Sequence, residues 1–208
     1  MPLRERNALL LSAGFAPRFQ ERQVQDPEFA AARQVVDLVL AGHEPFPALA
    51  VDRHWHLVAA NKSLAFMLEG AAPELLQPPV NVLRLSLHPQ GLAPRIANLR
   101  EWRMHILARL RHQIDVTADA ELRALRDELQ AYPVSESLSD AAPLLAEDAG
   151  VAIALRYITP VGILSFLSTT TVFGTPLDIT LSELAIEAFF PADARTAEAL
   201  RAIAAAKN

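Results

Sequence analysis

Apolar positions recur along the chain in two rhythms, and the change between them divides it. Between Glu28 and Leu40 the apolar residues Phe29, Val36, Val39 and Leu40 share one stripe at helical spacing. Asp26 is a good N-cap, Pro27 suits the first helical position and Gly42 ends the segment. After the His43-Glu44-Pro45-Phe46-Pro47 connector, Ala48–Asp52 and Trp55–Asn61 read as two strands around a polar turn, followed by a short helix from Ser63 to Glu69. Asn81–Leu87 alternates like a strand yet is short enough to be a helix, so its period leaves both open. Arg95 to Gln113 predicts a longer helix carrying Leu99, Trp102, Ile106 and Leu110 on one face, and Asp119 to Tyr132 another. The stretch from Ser135 to Asp148 is the most loop-like. Beyond it the period shortens to that of strands. Val151–Ile158, Gly162–Phe173 and Leu177–Phe190 form consecutive hairpins through Thr159-Pro160-Val161 and Gly174-Thr175-Pro176, and a last helix starts at Asp193 as N-cap.

This pattern predicts an α+β domain: an antiparallel sheet of about five strands, helices inserted between strands two and three and lying on one side, and helices at both ends. No internal repeat is visible. At the N-terminus Arg4 and Arg6 precede the apolar run Ala8–Ala16, which imitates a signal peptide, but the run is short and is followed by Pro17 and Arg18. A helical turn capped by Gly14 is the preferred reading.

Composition narrows the classes. The 208 residues suffice for one domain with an appended helical element, and the hydrophobic fraction of 51% supports a core without staples. With no cysteine there is no disulfide framework or thiolate chemistry, as in a cytoplasmic protein. A net charge of -5 argues against DNA binding by the domain itself, since phosphate neutralisation needs surplus Lys and Arg. The longest uncharged stretch, Tyr157–Leu177, contains Pro160, Gly162, Pro176 and many Ser and Thr, so it reads as buried strand, and no membrane association is expected. Phosphate-binding glycine loops and a Gly-x-Ser-x-Gly nucleophile elbow are both missing from the sequence.

A few side chains invite chemistry. Asp52, His54 and His56 alternate and in extended structure offer two imidazoles and a carboxylate on one side. They also sit at a hairpin tip with no further strong ligand nearby in sequence, so solvated turn residues are preferred and no metal or cofactor is expected. His105 and His112 share a face of one helix, with a half-buried or solvated role. The arginines of that helix, Arg95, Arg100, Arg103, Arg109 and Arg111, read as a surface that pairs with acids elsewhere in a net-acidic chain. Arg84 is the lone charge among Val82, Leu83, Leu85 and Leu87, and needs an anionic partner: a ligand carboxylate, Glu44 or Asp178.

Long blocks of the chain resemble a known family. Arg6-Asn7-Ala8-Leu9-Leu10-Leu11-Ser12-Ala13-Gly14-Phe15-Ala16-Pro17, the stretch from Ala41-Gly42-His43-Glu44-Pro45-Phe46-Pro47 to Asn61, Asn81-Val82-Leu83-Arg84-Leu85-Ser86-Leu87-His88-Pro89, and above all Leu164–Thr170 with Phe173–Asp193 are similar to the effector region of MmyB-like transcription regulators. The resemblance implies a PAS-like ligand-binding domain, associated with fatty-acid-like ligands, that follows an Xre-type helix-turn-helix in bacterial, mainly actinobacterial, regulators. The present chain starts at the helix that would follow such a module. DNA contact is therefore expected only through a helix-turn-helix domain absent from this chain, with residues 1–25 as helix and linker and 26–208 as the binding domain, acting as a homodimer.

PAS-like folds enclose a cavity between helices and a concave sheet. The expected lining is Phe66, Met67, Leu83, Leu87, Ile106 and Leu107 from the helices, with Phe166, Ser168 and Thr170 from the long strand, although core packing is the alternative for each. Arg84 is expected to hold an acidic head group, assisted by Asn81. Two other classes compete with a sensor of a small hydrophobic molecule: an enzyme using His43 or His88 as acid–base residue, and a dimerisation module whose cavity is filled by side chains.

Overall fold

The computed structural model describes residues 3–21, 30–133, 153–173 and 179–206. The helix start at Asp26-Pro27, the loop 135–148 and the turn at Gly174-Thr175-Pro176 lie outside these residues. The order of elements is α1 (Leu3–Ser12), α2 (Ala30–Gly42), β1 (Ala48–Val51), β2 (Leu57–Ala60), α3 (Ala65–Leu68), α4 (Val82–Leu87), α5 (Leu99–Thr117), α6 (Ala120–Ala131), β3 (Leu155–Thr159), β4 (Gly162–Val172), α7 (Ile179–Glu183), β5 (Ala185–Pro191) and α8 (Ala194–Ala206). The strands form one antiparallel sheet in the order β2-β1-β5-β4-β3, with α3 to α6 inserted between β2 and β3. This is the α+β architecture expected from the sequence.

Local chemistry explains the boundaries. Gly14, at φ +81°, closes α1: the Phe15 N–H reaches the Leu10 carbonyl and the Gly14 N–H the Leu11 carbonyl, satisfying carbonyls the helix end would orphan. Asn81 settles the ambiguous segment as helix, because its side-chain oxygen accepts the N–H groups of Leu83 and Arg84 at 3.2 and 3.0 Å. Asp119 caps α6 and Asp193 caps α8 in the same way.

Three expectations need correction. Leu177–Phe190 is not one strand: a short helix, Ile179–Glu183, precedes β5. Both neighbours of β5 stop pairing at Ala185, β1 with Val51 and β4 with Val172, so the preceding backbone has no strand to bond and finds other partners, the Leu184 N–H at the Leu181 carbonyl and the Ile179 N–H at the Gln20 carbonyl. Strand two starts at Leu57 rather than Trp55, because Trp55 takes a left-handed φ of 68° inside a tight turn closed by Asp52 and His56. Nor do the helices cover one side only. On β1, Leu49 and Val51 join the main core beneath α3–α6, whereas Ala48 and Ala50 join Val36 and Leu40 of α2 on the opposite face.

The main core draws Leu110 and Ile114 from α5, Leu122, Leu125 and Leu129 from α6, and Tyr157, Leu164 and Phe166 from the sheet. At the other edge Arg4 of α1 forks onto Glu183 of α7 and also pairs with Glu21.

Candidate functional site

Between the sheet and α3–α5 the core is incomplete. A cavity of about 250 Å³ is left there, walled by Leu49 and Phe189 from the sheet, Leu64 and Met67 before and within α3, and Leu83 and Leu85 from α4. Trp55, Trp102 and Ile106 complete the wall on the β1–β2 turn and α5. Both indole N–H groups are already satisfied, Trp55 by Gln113 Oε1 at 2.9 Å and Trp102 by Ser86 Oγ at 3.0 Å. The rings therefore present apolar surface to the space.

One charged pair interrupts this apolar wall. Glu187 stands mid-strand on β5, opposite Thr170 on β4 and Leu49 on β1, and is only 5% exposed. The Arg109 guanidinium of α5 reaches down to it, donating to Glu187 Oε1 at 2.7 Å, to Oε2 at 3.3 Å and to Thr170 Oγ1 at 2.8 Å. Thr170 in turn donates to Glu187 at 2.6 Å, and the guanidinium lies 4.8 Å from the centre of the Trp55 ring. A guanidinium has more N–H donors than these bonds use, so a polar ligand group can still be met from this corner.

The expected site residues divide. Met67, Leu83 and Ile106 are on the wall, and Thr170 joins the polar corner. Phe166 is fully buried, edge-on to the Phe189 ring that lines the space, and Leu87 is a core residue. Phe66 lies against Tyr157, Leu107 is packed on the core, and Ser168 is half-buried beside Phe189 in the sheet register. Asn81 is occupied by the α4 cap and by a bond from its Nδ2 to the His54 carbonyl at 2.9 Å. Arg84 turns to α6, where Glu128 receives it at 2.7 Å through both carboxylate oxygens. That partner was not among the acids weighed from sequence.

Sequence reasoning missed Arg109 and Glu187. Arg109 is one of four arginines on α5 and carries no local mark. Glu187 did carry one: it is the only charge in β5, flanked by Ile186, Ala188 and Phe189.

The Arg84–Glu128 pair also holds the Glu128 carboxyl below its ordinary pKa, chiefly through the Arg84 hydrogen bond, while burial and Glu128 push the Tyr132 hydroxyl up to about 12. Since both partners are more than a third exposed, Arg84→Leu should cost only about 0.5–1 kcal/mol of stability. Affinity for acidic and neutral ligands should fall alike, as calorimetric titration of matched acids and alcohols would show.

His105, stacked on Trp102 at 5.4 Å, is held below its ordinary 6.5 by burial and by the neighbouring Arg109 charge. A depressed histidine stays neutral in the fold while the unfolded chain takes up its proton. Its stabilisation is thus complete above pH 6.5 and is lost as pH falls from there through the folded value. Urea denaturation at pH 7.5 and 5.5 should show a smaller loss on acidification for His105→Gln than for the parent protein.

A sheet with helices on its concave face and an apolar, partly polar-cornered cavity between them defines a small-molecule-binding domain rather than a nucleic-acid or scaffold module. The protein-family model described as the MmyB-like transcription regulator ligand binding domain matches residues 32–203, and the chain belongs to that family. No curated protein matches the chain.

Proposed function

We propose that the chain is the sensing domain of a bacterial, cytoplasmic transcription regulator and binds a small hydrophobic, fatty-acid-like molecule in the cavity between β1, β5 and α3–α5. The carrying observation is an apolar space with one polar corner, Arg109–Glu187–Thr170. An apolar cavity of about 150 Å³ holds benzene, so a space of this size suits a molecule of roughly ten non-hydrogen atoms, such as a medium-chain acid. Met67, Leu83 and Ile106 contact the chain, and Arg109, rather than Arg84, meets the acidic end with the donors that Glu187 and Thr170 leave over. Occupancy shifts the balance between two arrangements of a homodimer and is passed through residues 1–25, the connecting element, to a DNA-binding module. Among the described residues no helix is long and apolar enough to cross a membrane.

The two rival readings have less support. A dimerisation module with a filled interior is disfavoured by the cavity itself. For an enzyme, the histidines are in the wrong place: His43 Nε2 lies 3.2 Å from the Phe189 carbonyl and its ring packs on Phe46 and Phe190, while His88 accepts the Gln90 N–H and packs on Tyr132. The carboxylate at the cavity, Glu187, is locked by Arg109 and Thr170.

Native mass spectrometry after mild purification, and after incubation with octanoate and octanol, tests the proposal. A single adduct per chain, of unchanged ligand mass, is expected. Protein that stays at its bare mass with every straight-chain acid and alcohol of this size would overturn the sensor reading.

A further inference from the structure

We propose that Asp52, His54 and His56 form a divalent-metal site at the tip of the β1–β2 hairpin, completed by the Glu121 carboxylate at the start of α6. The three side chains each offer a ligand atom, and these atoms lie within 4.8 Å of one another. Their convergence comes from the turn rather than from strand alternation. Asp52 Oδ1 accepts the N–H groups of both His54 and His56 at 2.8 Å, which curls the backbone around the carboxylate, and the left-handed Trp55 between them sends its ring to the cavity.

The tertiary structure adds what the sequence lacks at this tip. Asp119 Oδ2 lies 3.0 Å from His54 Nε2, and Glu121 Oε2 lies 3.3 Å from His54 Nδ1. His56 Nδ1 is 3.1 Å from Asp52 Oδ2. The His54 ring thus stands between two carboxylates, with Nε2 toward Asp119 and Nδ1 toward Glu121.

Charge balance points the same way. Three carboxylates surround two imidazoles, while the intervening Arg53 turns toward Glu183 at 3.8 Å and Arg123 is donated to the Ala118 carbonyl. The His54 Nδ1–Glu121 and His56 Nδ1–Asp52 separations, 3.3 and 3.1 Å, are close to the ligand–ligand edge, about 3.3 Å, of a tetrahedral zinc site with bonds near 2.0–2.1 Å. Asp119, bonded to the far nitrogen of His54, stands where metal-bound histidines usually find an orienting carboxylate. A mixed imidazole and carboxylate set selects zinc, nickel or cobalt over magnesium or calcium. The ion would tie the hairpin to the start of α6 and thereby steady Trp55, on whose face Arg109 rests.

Calorimetric titration of the tag-free full chain with Zn²⁺ at pH 7.5 tests this. One equivalent per chain should bind, with a rise in thermal midpoint. His54→Gln and His56→Gln should each weaken binding at least about tenfold. Glu121→Gln, at an exposed side chain on which folding does not depend, should weaken it severalfold, and His88→Gln should leave it unchanged. Absence of binding, or equal affinity in the parent and all these variants, would overturn the proposal. So would a loss confined to His88→Gln.

Discussion

Replacing Arg109 with methionine should destabilise the domain by about 3–5 kcal/mol, the range seen when one partner of a buried ion pair is removed. Glu187 would be left with its side chain 6% exposed and only Thr170 to bond. Glu187→Leu should cost less, nearer the bottom of that range, because the Arg109 side chain is 28% exposed and can turn its charge to water. The double variant should be more stable than Arg109→Met alone, since removing both charges leaves neither stranded. Urea denaturation of the three variants measures this directly. Additive losses would mean that the two side chains do not act as a pair.

The second large effect concerns the cavity. Leu83→Trp places a larger ring in empty space, so octanoate affinity should fall at least about tenfold while stability changes by less than about 1 kcal/mol. Leu110→Trp is the contrast. Leu110 is completely buried on the same side of the sheet and is not on the cavity wall, so the same enlargement there should cost about 1–3 kcal/mol or more through overpacking. Equal destabilisation at the two positions would show that the space near Leu83 closes in solution.

Much of the fold was legible because it is set by interactions within a few residues. The N-cap at Asp193, the helix terminus at Gly14 and the hairpin between β3 and β4 each depend on near neighbours, and each was readable from residue type and spacing. Asn81–Leu87 stayed ambiguous because seven residues cannot separate the two periods. It took the Asn81 cap, seen in three dimensions, to decide it. The stretch before β5 was misread as strand for a different reason. Its conformation depends on where the partner strands end, and no local pattern carries that information.

The site was legible in class and only partly in residues. Apolar wall positions such as Met67, Leu83 and Ile106 follow from helix faces, but a cavity wall and a packed core have the same sequence pattern. The charged corner joins residues 78 positions apart, the Arg84 pair 44 and the His54–Asp119 contact 65.

From the sequence alone came the α+β class, most of the helix and strand positions, and the family resemblance, all carried by local periodicity, caps and long matched blocks. The tertiary structure decided the strand order β2-β1-β5-β4-β3, and with it which charges meet. That order puts Glu187 on the central strand beneath α5, where burial forces it to find Arg109, and brings the α6 cap beside the hairpin histidines. Pairings of this kind depend on how distant elements cross, and hydrophobic periodicity records only that a face is covered, not by what.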